Sequence, residues 1–153
     1  MRIRAARPEE AAELSALCLR AKAHWGYDQA FLAQCRDALT VDPTAIRTGD
    51  VFVAIHALDH PIGLHQIAGD ELALLYVEPA WIGQGVGRAL LRHAAALAYS
   101  RGVRRLSILA DPHAAGFYRA QGAVYLHDAP SDAIPGRMLP VYLLSLQPEG
   151  SDR

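Results

Sequence analysis

The chain has 153 residues and a net charge of −1 at pH 7; 52% of its residues are hydrophobic and 20% charged. That length gives one domain with a real core, and that composition excludes a disordered chain. The near-neutral balance makes no electrostatic case for nucleic acid, and no apolar run approaches the roughly 18 residues of a membrane helix. Met1-Arg2-Ile3-Arg4 leads into polar sequence rather than an apolar signal core. The two cysteines, Cys18 and Cys35, read as buried reduced thiols. The expectation is a cytoplasmic protein with neither nucleic acid nor a membrane as partner.

In chain order, Arg2 to Ala5 reads as a first strand. Pro8 fits the first turn of a helix whose dipole Glu9 and Glu10 complement, and Leu14, Leu17 and Cys18 give it one apolar face. It should end near Lys22 to Trp25, before Gly26. A second helix starts at Asp28, an N-cap, and carries Phe31, Leu32, Cys35 and Leu39. Asp42-Pro43-Thr44 reads as a turn. Val51 to Ala57, Ile62 to Ile67 and Glu71 to Val77 read as an antiparallel meander, joined by Asp59-His60-Pro61 and Gly69-Asp70. A long helix from about Gly85 to Arg101 turns Val86, Leu90, Leu91, Ala94, Leu97 and Ala98 inward and stops at Gly102. Leu106 to Leu109 is a short buried strand, and strand–helix–strand implies a parallel pair with Glu71–Val77. His113 to Gln121 reads as a helix, Val124 to His127 and Val141 to Leu146 as the last strands, and Ala129 to Pro140 as a loop with three prolines. Residues 1–147 form one domain, and 148–153 a loose tail.

The most telling stretch runs from Leu74 to Leu91: an apolar strand, Pro79, then Ile82-Gly83-Gln84-Gly85-Val86-Gly87-Arg88 at a helix start. Alternating glycines remove the Cβ atoms that would keep a ligand from the backbone. The first amides of a helix have no intrahelical acceptor and carry the positive end of its dipole, so this is an anion site, most often for phosphate. It is not a P-loop, because Arg88-Ala89 follows Gly87 where Lys-Ser/Thr is needed. It is not a dinucleotide fingerprint either, because the third glycine position holds Arg88 or Leu90.

The spacing resembles motif A of the Gcn5-related N-acetyltransferases, Arg/Gln-x-x-Gly-x-Gly/Ala, with Gly85 and Gly87 at its small positions. Downstream, Asp111 to Ala123 resembles motif B of that family, Asn-x-x-Ala-x-x-Phe-Tyr-x-x-x-Gly-Phe. The two stand in the family's order and separation, and the resemblance covers nearly the whole chain. Two departures stand out: Ile82 replaces the polar first residue of motif A, and His113 is read as replacing the usual Asn. Arg88 and Arg119 are the charges available to compensate for Ile82.

The resemblance implies an α/β (α+β) domain with a mixed sheet of six to seven strands flanked by helices, splayed between strands 71–77 and 106–109. Pro79 lacks an amide hydrogen, so the splay is expected there. It implies an enzyme using acetyl-CoA as co-substrate, without a metal, on a small amine or peptide acceptor, and leaves a homodimer open. The pantetheine arm would pair with backbone near Leu75 and Val77. The pyrophosphate would lie on the amides of Ile82, Gly83, Gln84, Gly85, Val86, Gly87 and Arg88, with His113 and Tyr118 completing the cofactor site. Tyr118 holds the position of the family's general acid, and the amide of Tyr76 or Val77 is the expected oxyanion donor. Glu71 is the candidate base, because it shares side-chain parity with Leu75 and Val77; Glu78 and His65 rank below it. Trp25 and Tyr27 are expected as an aromatic wall for the acceptor and Arg137 as a grip for a carboxylate. The rival reading is a non-catalytic acyl-CoA sensor.

Overall fold

The structure is a computed structural model and describes residues 1–148; the loose tail expected over 148–153 lies, apart from Pro148, outside the described residues. Seven strands form one sheet: β1 (Arg2–Ala5), β2 (Val51–Ile55), β3 (Pro61–Ala68), β4 (Glu71–Val77), β5 (Arg105–Leu109), β6 (Val124–Pro130) and β7 (Met138–Ser145). Their order is β1-β2-β3-β4-β5-β7-β6, antiparallel except for β4 and β5. The helices are α1 (Ala11–Ala23), α2 (Gln29–Cys35), α3 (Pro43–Arg47), α4 (Val86–Ser100) and α5 (Ala115–Ala120).

Two hydrophobic layers sandwich the sheet. On one face, Leu14, Leu17 and Cys18 of α1 and Ile46 of α3 pack on Val51, Val53, Leu64 and Leu74. On the other, Leu91, Ala94 and Ala98 of α4 and Ala115 and Tyr118 of α5 pack on Leu72, Leu106, Ile108 and Tyr142. Both cysteines are free and buried, consistent with their apolar spacing.

Asp42-Pro43-Thr44 does more than turn: Asp42 accepts from the Thr44 amide at 2.8 Å and caps α3, as a short acidic side chain before Pro at N1 favours. The late loop is shorter than expected, because β6 continues through Pro130 and β7 begins at Met138. Prolines 130 and 140 sit inside an edge pairing, and the pattern of apolar residues had not shown it.

The splay also begins elsewhere than Pro79. The β4–β5 ladder holds one residue pair, Glu71 with Ser107, supported by the Ser107 amide donating to Asp70 O at 2.8 Å. Beyond it the strands part. The cause lies on the other edge of β4, where Gln66 pairs with Leu74 but Ile67 with Leu72, leaving Ala73 as an extra residue. Such a bulge bends its strand and increases its twist, turning β4 away from β5. It also flips side-chain parity. Leu72 joins the α4 layer and Leu74 the α1 layer, although they are two residues apart.

Candidate active site

Two cavities flank the parted strands. One, of about 420 Å³, runs between β4 and β5 to the start of α4 and is lined by Leu75, Val77, Gly85, Arg88, His113 and Tyr118 among others. The second, of about 510 Å³, opens on the α1 side and is lined by Lys22, Glu71, Ser107, Asp132, Arg137 and Leu139 among others. They share Leu72, Ala73, Leu74, Tyr76, Leu109 and Asp111, so the gap between β4 and β5 is a passage between them.

The first cavity is built mostly from backbone and apolar groups. After the turn Pro79–Trp81, Gly83 and Gly85 take φ of +82° and +84°, conformations that favour glycine. Gly85 is the N-cap of α4, and its carbonyl accepts from Ala89 N at 3.1 Å. The amides of Val86, Gly87 and Arg88 precede that bond and have no intrahelical acceptor. Gly87 allows close approach of α5: a Cβ there would stand 3.4 Å from the Phe117 ring. Ile82, Gly83, Gly85, Gly87 and Arg88 line the cavity, whereas Gln84 bonds back to Ala80 O and the Val86 side chain is buried in the core, leaving only its amide for a ligand. Arg119 does not line the cavity, and its Nη1 donates to Tyr142 Oη at 2.9 Å; Arg88 is the cation on this wall.

Farther in, the Glu78 amide donates to Ile62 O on β3 at 2.8 Å. Amides alternate along a strand, so those of Leu75 and Val77 face the gap and that of Tyr76 faces β3. Of the two expected oxyanion donors, Val77 therefore remains and Tyr76 does not. Tyr118 is 6% exposed and lines the cavity; burial, and then the nearby Asp111 carboxylate, pushes its pKa up. Its hydroxyl has no hydrogen-bond partner among the described residues.

The bulge corrects the parity argument for Glu71. Its side chain lines the second cavity with Leu74 and Tyr76, not the first with Leu75 and Val77. Glu78 is paired with Arg20 at 2.7 Å. His65 is wholly buried against α4, bonded to His93 at 2.9 Å, and lines neither cavity; desolvation and then the His93 charge push its pKa down to about 3.

The aromatic wall and the carboxylate grip take a different form. Trp25 lines the first cavity and stacks on His113, with centroids 5.2 Å apart and planes 5° apart. The Tyr27 hydroxyl donates to Asp111 Oδ2 at 2.9 Å and accepts from Arg137 Nη2 at 2.8 Å, and the guanidinium lies over Tyr27 and Phe31. Tyr27 and Arg137 thus hold each other, and Arg137 Nη2 is engaged within the protein.

At the centre is Asp111, which the sequence reading passed over. Counted back from Phe117-Tyr118, the family's Asn position is Asp111 and not His113. It caps the turn Pro112–Ala114 by accepting from the His113 amide at 2.8 Å, and it pairs with Lys22 at 2.7 Å, both side chains 9% exposed. Burial would raise its carboxyl, but the bonds from Lys22 and from His113 hold it down at about 2. Only a correct count of the motif points to Asp111; nothing in the sequence ties it to Lys22, 89 positions away.

Residues 47–122 match the family model of the acetyltransferase (GNAT) domain. Over 122 residues the chain is 28% identical to the peptidyl-lysine N-acetyltransferase YjaB of Salmonella typhimurium, spanning 78% of this chain and 81% of that protein. A GCN5-related N-acetyltransferase from Rhodopseudomonas palustris shares the fold with a TM-score of 0.79 at 24% identity over 95% of either chain. YncA of Salmonella typhimurium, solved with acetyl-CoA, shares it at 0.68 and 20% identity over 100% of this chain and 98% of that one. The chain thus has the fold of the Gcn5-related acyltransferases. It belongs to the GNAT family of N-acetyltransferases. Among the described residues, no helix is long and apolar enough to cross a membrane, and no group of three or more His, Cys, Asp or Glu is placed to hold a metal ion.

Proposed function

We propose that the protein transfers the acetyl group of acetyl-CoA directly to a primary amine of a small molecule, amino acid or peptide, with both substrates bound at once. The observation that carries this is the passage between β4 and β5, which joins a groove ending at free helix amides to a second, charged cavity. Orphan amides at a helix start suit a pyrophosphate, and the gap-facing amides of Leu75 and Val77 suit an extended arm carrying amide groups. The similarity to a peptidyl-lysine N-acetyltransferase favours a peptide lysine among these acceptors.

Bound acetyl-CoA supplies a thioester carbonyl that an amine nitrogen can attack. The chain's residues then have three tasks. Val77 N–H donates to the carbonyl oxygen as charge develops there. Tyr118, kept protonated by burial, donates to the leaving sulfur. Glu71, in the second cavity and without an ion-pair partner among the described residues, attracts the acceptor's ammonium. The test is a screen of lysine peptides, polyamines and amino acids for acetylated product and released CoA. Product from at least one amine is expected. Acetyl-CoA binding without transfer to any of them would reduce the protein to an acyl-CoA sensor.

A further inference from the structure

An ammonium has no lone pair, so the acceptor must lose a proton before it attacks. Glu71 stands at the closed end of the passage, opposite Ser107. Asp111 lies four residues farther along the chain, just beyond the end of β5, about 13 Å away at 3.3 Å per residue. Asp111 lines both cavities, and His113 lines the first together with Tyr118. The Asp111 charge is also the one that acts on Tyr118. The proton chemistry near Tyr118 therefore has Asp111 and His113 as neighbours.

Asp111 is saturated. Its Oδ2 accepts from Lys22 Nζ and Tyr27 Oη, at 2.7 and 2.9 Å. Its Oδ1 accepts from the His113 amide and from His113 Nδ1, at 2.8 and 2.9 Å. A carboxylate with four donors does not take up a proton readily, but it fixes a ring. A bare Nδ1 at 2.9 Å would set lone pair against lone pair, so Nδ1 carries the hydrogen and Nε2 of the neutral ring carries the free pair. Tyr27 agrees: its proton goes to Asp111, and it faces Nδ1 with its oxygen at 3.2 Å. Stacking on Trp25 holds the ring plane. The groups around His113 are thus Asp111, Tyr27 and Trp25, with Lys22 and Arg137 behind them.

Resting on the acetyl-transfer reading above, we propose that His113, oriented by Asp111, is the general base that takes the proton from the acceptor's ammonium. The proton moves to Nε2, and the freed nitrogen bonds to the acetyl carbon as the carbon–sulfur bond breaks. Sulfur receives the Tyr118 proton, and the second ammonium proton returns to Tyr118 through water. His113 gives its proton to solvent, so one proton is released per turnover. Asp111 is a positioning residue: it sets the tautomer and stabilises the imidazolium that forms.

The experiment compares the parent enzyme with His113→Gln, using an amine that the parent acetylates. In kcat/KM for that amine against pH, the parent should show the bend of a titrating base. The variant should lose the bend and fall by about 10²-fold or more, a loss larger than any change in acetyl-CoA affinity by calorimetry. Free imidazole should restore part of the rate of His113→Ala. Asp111→Asn should lower kcat more than it raises KM for acetyl-CoA, because the ring loses the partner that fixes its tautomer. A His113→Gln enzyme that keeps the parent's bend, or that changes only in KM for acetyl-CoA, overturns the assignment. A parent that acetylates no amine overturns the activity itself, and the assignment with it.

Discussion

The two cavities hold their ligands by different means. The groove toward α4 relies on backbone: glycines at positive φ, free amides and the gap-facing edge of β4. The cavity toward α1 relies on side chains brought together from three distant segments. Lys22, Asp111 and Arg137 line it, and Tyr27 bonds to Asp111 and Arg137 although 110 positions separate it from Arg137. A backbone site is tolerant of side-chain change except where a Cβ intrudes. A side-chain cluster depends on every member, because removing one leaves buried polar groups unpaired.

Five substitutions probe this contrast. The largest effect belongs to Tyr118, on the wall of the first cavity. Tyr118→Phe keeps the ring and should lower kcat by about 10²–10⁴, with acetyl-CoA affinity nearly constant because the hydroxyl acts in the transition state. Turnover at the parent rate, with chemistry rate-limiting, would sink the assignment of Tyr118.

Next comes the cluster. Lys22→Met breaks a pair whose side chains are both 9% exposed and should cost about 3 kcal/mol in urea unfolding, the low end for buried pairs because Asp111 keeps other donors. Arg20→Ala, at the more exposed pair with Glu78, should cost less than about 1 kcal/mol. The acid response has a defined sign. The Asp111 carboxyl titrates at about 2 in the fold against an ordinary 3.8. Its contribution is present above the ordinary value and is lost as pH falls toward and through 2. Asp111→Asn should abolish that share of the acid loss, and an unchanged acid profile would contradict it.

The effect on cofactor binding is read at the glycine turn. Gly85→Val forces a β-branched residue to φ +84° at the helix cap and should weaken acetyl-CoA binding about ten-fold, roughly 1.4 kcal/mol. Unchanged affinity in a folded variant would mean that this turn holds no phosphate.

The same contrast explains what was legible in the sequence. Gly85, Gly87 and the strand–turn–helix order are contiguous, so local pattern and the family motif located the turn and the parallel pair. The splay was also expected, but for the wrong reason. Pro79 is visible in the sequence, whereas the Ala73 bulge arises only when β3 and β4 pair, and it reversed the face assigned to Glu71. Trp25, Tyr27 and Arg137 were picked by residue type as acceptor groups. Their partners Asp111 and His113 come from another segment, so no spacing announces that Tyr27 and Arg137 bind each other, or that Asp111 orders the group.

The single Glu71–Ser107 pair has a mechanical consequence. The sheet is two stiff plates, β1 to β4 and β5 with β7 and β6, pinned at one end like the covers of a book. At the free end no ladder bonds join them. What spans that mouth is a bolt of side chains, Lys22 on α1 against Asp111 beyond β5, with Tyr27 and Arg137 locking it. The width of the slot is therefore set by charges that respond to acid and substitution, and the plates can part without breaking a strand.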